Sequence, residues 1–155
     1  MKFSTKEDIE APIEDVFAML SEFETFERSA IRRGVELQRV GTHVGPGAGM
    51  TWVANFPLRG KQRELRLELM QFDAPETMRF QGMMQGLETD MTLALVALSP
   101  RRTRLSVELT LKPRSLPARL LVQSLKLAKA NLDKKFKLRV AEYARALEER
   151  HKRTA

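Results

Sequence analysis

The chain has no cysteine, one tryptophan, one tyrosine and two histidines among its 155 residues. Without cysteine there is no disulfide framework, thiolate metal site or thiolate nucleophile, and a reducing compartment fits. The two histidines, His43 and His151, fall in a glycine-rich loop and in the basic C-terminal segment, so neither a metal site nor a cofactor is expected. No apolar run approaches the ~20 residues that span a bilayer. The opening MKFSTKEDIEAP carries charges where a signal peptide needs an apolar stretch. A soluble, unexported, cytoplasmic protein is therefore expected. No Gly-x-Ser-x-Gly elbow occurs, which leaves serine hydrolase chemistry without support. The segment VGPGAG, residues 44–49, leads into the strand-like MTWVANF and not through Gly-Lys-Ser/Thr into a helix. It reads as a strand connector and not as a phosphate loop.

Acidic residues are scarce in the last third: residues 101–155 hold 16 Lys and Arg against 5 Asp and Glu, while residues 1–100 hold 11 against 15. A basic excess of this kind can meet nucleic acid or an anionic membrane, but a solvated helix face is its commoner meaning. The aromatic residues fall on predicted inner faces instead of among Lys and Arg, and no nucleic-acid motif is present, so nucleic acid is not an expected partner.

What the chain does have is a change of periodicity along its length. At 43% apolar and 30% charged it suits one globular domain, expected over residues 1–150 with 151–155 as a basic tail. Phe3, Thr5, Glu7 and Ile9 share one face of an extended segment. Pro12 then suits a helix start, and Glu14 and Asp15 favour its positive end, with Ile13, Val16, Phe17 and Leu20 at helical spacing. A second short helix is expected over 22–32, carrying Phe23 and Phe26, with Gly34 able to stop it. From 35 to 112 the period becomes two, giving strands over 35–40, 50–58, 61–72, 77–84, 88–98 and 103–112. Short connectors imply antiparallel neighbours. After Pro113 one long helix is expected over about 116–149, with Leu121, Leu125, Ala128, Leu132, Phe136, Val140, Tyr143 and Leu147 as its apolar stripe. The only apolar surface large enough to meet that stripe is the concave face of the strands. The fold class is α+β, a seven-stranded curved antiparallel sheet wrapped around the last helix.

The order strand, two short helices, six strands and long helix, opened by Ile9, Ala11, Pro12, Val16 and Phe17 in I-x-A-P-x-x-x-V-F, resembles the START-like polyketide cyclase and lipid-transport superfamily (SRPBCC). The resemblance covers nearly the whole chain. It implies a helix-grip fold with an apolar cavity between sheet and helix, and ligands such as lipids, quinones or polyketides. Phe26, Trp52, Phe56, Phe80, Met84, Met91, Leu93, Leu95, Leu125, Leu132 and Phe136 are its expected lining, although each is equally an ordinary core residue. Met91, Leu93 and Leu95 are expected opposite Leu125, Leu132 and Phe136.

Two charged residues interrupt predicted inner faces. Glu7 lies between Thr5 and Ile9, and Arg63 shares parity with Leu65, Leu67 and Leu69. Either would orient a ligand's polar end if enclosed, or sit hydrated at a rim if not. The resulting reading is sequestration or transport of a hydrophobic small molecule. The alternative is a cyclase or dehydratase-like enzyme on an apolar or aromatic substrate, for which Glu7, Arg63, Asp90 and Tyr143 are the loose acid-base candidates; Asp90 is expected to point outward and the catalytic residues are not identified. Finally, Leu116, Leu120, Leu127 and Leu138 fall away from the main stripe among basic residues. They mark a homodimer seam or a membrane-touching face, unless loops cover them.

Overall fold

Alternating and helical periods become elements almost where the pattern places them. The computed structural model describes residues 1–42 and 45–154; His43 lies outside the described residues. The elements are β1 (Lys2–Ile9), α1 (Ile13–Leu20), α2 (Phe23–Arg32), β2 (Glu36–Val40), β3 (Thr51–Leu58), β4 (Lys61–Asp73), β5 (Thr77–Met84), β6 (Leu87–Ser99), β7 (Arg102–Pro113), α3 (Leu116–Leu127) and α4 (Lys129–Thr154). The strands form one antiparallel sheet in the order β1-β7-β6-β5-β4-β3-β2. Two hairpins turn through consecutive left-handed residues, Arg59-Gly60 and Gln85-Gly86, with φ of 53° and 73° and of 46° and 82°. That backbone twist matches the twist of the flanking strands.

Pro12 precedes α1 in extended conformation, and its carbonyl accepts from the Val16 N–H at 3.0 Å. The corner is pinned from β7: the buried Thr103 hydroxyl donates to the Ala11 carbonyl at 2.8 Å. Ser115 caps α3 by accepting from the Ala118 N–H at 3.2 Å.

The expected single helix after Pro113 is divided. At Ala128 (φ −108°, ψ 18°) the N–H turns to the carbonyls of Leu125 and Lys126, three and two residues back, and regular bonding resumes when Leu132 donates to Ala128. No Pro or Gly lies there, so the break is a tertiary effect. It falls where the packing partner changes: α3 packs beside β7, whereas α4 runs closest to the edge strand β1. Phe136 meets the Phe3 ring at 5.7 Å, and the Lys129 ammonium lies 4.5 Å from that ring's centre. The segment after residue 150 continues α4 to Thr154, with His151 Nε2 3.1 Å from Asp15 and Arg150 paired with Glu22. No helix among the described residues is long and apolar enough to cross a membrane.

Candidate functional site

Because directly paired residues share a face, the register builds the inner surface row by row. One row is Leu67, Gly82, Thr89 and Leu111; the next is Leu69, Phe80, Met91, Leu109 and Phe3; then come Phe72, Met78, Leu93, Val107 and Thr5, and lastly Leu95, Leu105 and Glu7. A bulge between Leu69 and Gln71 shifts the parity of β4, so Phe72, which strict alternation would turn outward, points in.

These rows meet two separate apolar clusters. The first joins Ile9, Val16, Phe17, Leu20, Phe23, Trp52, Leu69, Met78, Phe80, Leu105, Ala144 and Leu147. Its centre is aromatic: Phe23 lies 5.4 Å from Trp52 and 6.3 Å from Phe80, and Phe17 lies 5.1 Å from Phe72. The second joins Met84 and Leu87 to Ala118, Leu121, Val122 and Leu125 of α3. Beside these clusters further inward side chains keep partial access to solvent: Phe56, Leu65, Leu67, Met91, Leu93, Leu109, Leu132 and Phe136 are all half-buried. A single domain usually has one contiguous core. Here there are two, flanked by a half-buried apolar surface.

Gly82 helps keep that surface low. A Cβ at this position would collide with the Thr89 hydroxyl and lie 2.9 Å from a Leu65 methyl and 3.4 Å from a Leu67 methyl. Its bare backbone lets both leucines lie across β5.

The expected lining residues divide along the same boundary. Trp52, Phe80 and Leu95 are buried in the first cluster, and Met84 and Leu125 in the second. Of the rest, Met91, Leu93 and Phe136 are half-buried against the first cluster, and Phe56 and Leu132 against the second. Phe26 is 44% exposed, and Phe23, one turn earlier, supplies the ring that enters the core. Met91, Leu93 and Leu95 share a cluster with Phe136, while Leu125 and Leu132 belong to the other.

Of the charged candidates, Glu7 stands opposite Leu105 on the inner face, half-buried, with no hydrogen bond or ion pair from its side chain among the described residues. Arg63 stands opposite Phe56 and donates from Nε to the Leu58 carbonyl at 3.0 Å. They do not form a pair: four strand positions separate β1 from β4, about 19 Å at ordinary strand spacing. They also lie at opposite ends of their rows. Asp90 pairs with Arg79 at 2.8 Å on the outer face, and that hydrogen bond holds its carboxyl below the usual aspartate range. Burial pushes the Tyr143 phenol above its ordinary value. Among the described residues no group of three or more acidic or histidine side chains is placed to hold a metal.

One network had almost no sequence signal. The Trp52 indole N–H donates to Glu27 at 2.7 Å, and Arg39 donates to both oxygens of the same carboxylate at 2.9 and 3.1 Å. It fastens α2 to β2 and β3 above the aromatic cluster. Only the parity of Arg39 with Leu37 hinted that a charge on β2 faces inward.

Sheet, short helices and C-terminal helix together form a helix-grip fold. No family model matches the chain, and no curated protein matches it. Solved structures do. A protein from Thermus thermophilus is 20% identical, with 97% of this chain and 96% of that one covered at a TM-score of 0.66. Norcoclaurine synthase from Thalictrum flavum, a point mutant in complex with a transition-state analogue, is 12% identical over 97% and 96% at 0.67. The ZhuI aromatase/cyclase from Streptomyces sp. R1128 is 12% identical over 100% and 96% at 0.66. At these identities the likeness establishes the fold.

Proposed function

We propose that the chain binds a hydrophobic small molecule between the sheet and the C-terminal helices, for sequestration or transport. The observation that carries this reading is the pair of unmerged clusters, with Leu67, Met91 and Leu93 left half-buried against the first and Phe56, Leu65 and Leu132 against the second. Covering such a surface contributes roughly 25 cal/mol per Å² of apolar area, so few directed hydrogen bonds are needed. The fold's occurrence in an aromatase/cyclase and in a synthase solved with dopamine and hydroxybenzaldehyde is consistent with a small-molecule ligand. The cyclase-like alternative is not favoured, because acid-base catalysis wants cooperating groups within reach of one atom and Glu7 and Arg63 lie four strands apart.

The test is titration with the neutral fluorophore N-phenyl-1-naphthylamine, followed by emission. Wild type should bind, and Leu93→Trp, which fills the space, should weaken binding at least tenfold with little change in Tm. Equal binding by the folded Leu93→Trp variant would overturn the reading.

A further inference from the structure

The interior leaves unexplained the outside of α3. This helix is apolar on two sides. Ala118, Leu121, Val122 and Leu125 are buried on the second cluster. Leu116, Leu120 and Leu127, spaced four and seven apart, fall within about 40° of one another on the other side at the helical period of 3.6 residues. They are 69%, 59% and 92% exposed, so no described residue covers them. Leu138 on α4 is exposed as well, at 56%, with exposed Lys134 and Lys135 one turn before it.

The setting is strongly basic. Residues 116–139 hold seven Lys and Arg against one acidic residue, Asp133. Asp133 pairs with Lys137, whereas Arg119, Lys126, Lys134 and Lys135 have no carboxylate partner among the described residues. A second copy of this face would bring like charges together, which costs association free energy. Nucleic acid would match the charge but leave the leucines in water. A surface of anionic lipid headgroups over an apolar layer matches both.

We propose that α3 and the first turns of α4 form a docking face for an anionic bilayer, with Leu116, Leu120 and Leu127 entering the headgroup boundary and Lys126, Lys134 and Lys135 above it. The opposite side of α3 closes the second apolar cluster, beside half-buried Phe56, Leu65 and Leu132. Docking therefore brings one end of the interior to the membrane. The proposal stands on the outer surface and holds whether or not that interior carries a ligand.

The experiment is cosedimentation of the full chain with vesicles of phosphatidylcholine alone or with 30% phosphatidylglycerol, at low and high salt. Binding is expected on the anionic vesicles only and should vanish at about 1 M salt, where the Debye length is about 3 Å. Lys134→Gln and Lys135→Gln should each weaken it about fivefold. The double variant Leu120→Ser, Leu127→Ser should weaken it at least tenfold while leaving Tm unchanged, because both side chains are already in water. Equal binding to neutral and anionic vesicles, or none to either, overturns the proposal. So does analytical ultracentrifugation showing a dimer that the leucine variants dissolve, or salt-dependent binding to DNA without binding to vesicles.

Discussion

Two regions of one sheet treat the same inward alternation differently. Toward α1 and α2 the interior is closed by rings: Phe17, Phe23, Trp52, Phe72 and Phe80 touch in a chain of centroid distances from 5.1 to 6.4 Å. Toward the middle the inward residues are mostly aliphatic and remain half-buried. Hydrophobicity does not separate these regions, since leucine and methionine occur in both. Reach does: wide rings projecting from helices and strands bridge the concave space, and Gly82 with its flanking leucines does not. The comparison teaches that closure of this interior is a property of side-chain size at a few positions.

The largest predicted effect breaks the closed end. Trp52→Ala removes a buried ring and strands Glu27 beside Arg39, and should cost about 3–5 kcal/mol in urea unfolding. Leu109→Ala, in the half-buried region, should cost less than about 2 kcal/mol, below the usual range for a packed leucine. Equal costs would mean that both regions are packed alike and would dissolve the contrast.

Next in size is Gly82→Val, which raises the floor of the open region against Leu65, Leu67 and Thr89. Overpacking should cost about 1–3 kcal/mol, and fluorophore binding should fall in parallel. Thr103→Val tests whether the corner shared by β7 and α1 holds the closed end in place. Losing the buried hydroxyl leaves the Ala11 carbonyl unpaired, which should cost about 1–3 kcal/mol, read as a lower urea midpoint.

The smallest effect lies on the outer face, which belongs to neither region. The Arg79 hydrogen bond lowers the Asp90 carboxyl in the folded state. A carboxyl lowered on folding contributes stability that is present above its unfolded value and is lost as pH falls through its folded one. Asp90→Asn should therefore lower Tm slightly at pH 7, and the gap from wild type should close as pH drops below about 4. A gap that widened in acid would contradict the assigned direction.

Much of this architecture was legible because it is written in local periods. Pro12 before Ile13, Val16, Phe17 and Leu20 announced α1, and alternation in Leu105, Val107, Leu109 and Leu111 announced β7 with its inner face. The inward parity of Glu7 and Arg63 was legible for the same reason. Phe72 was not, because a bulge at Met70 leaves no trace in composition. Nor was the break at Ala128, a good helix former in a segment without Gly or Pro, since its cause is a change of packing partner. The Glu27 carboxylate joins residues 12 and 25 positions away, a juxtaposition that no spacing rule anticipates.

By itself, then, the sequence determined the order and type of the elements as far as the last helix, and the face most strands present, because those follow from repeats of 2 and 3.6 residues within single segments. Only the tertiary structure decided that the inward surfaces gather into two clusters and not one. It decided too that Trp52 gives its N–H to Glu27 and that Leu127 is left 92% exposed. Those outcomes depend on distances between segments far apart in the chain, and whether two apolar faces meet depends on curvature and side-chain length together.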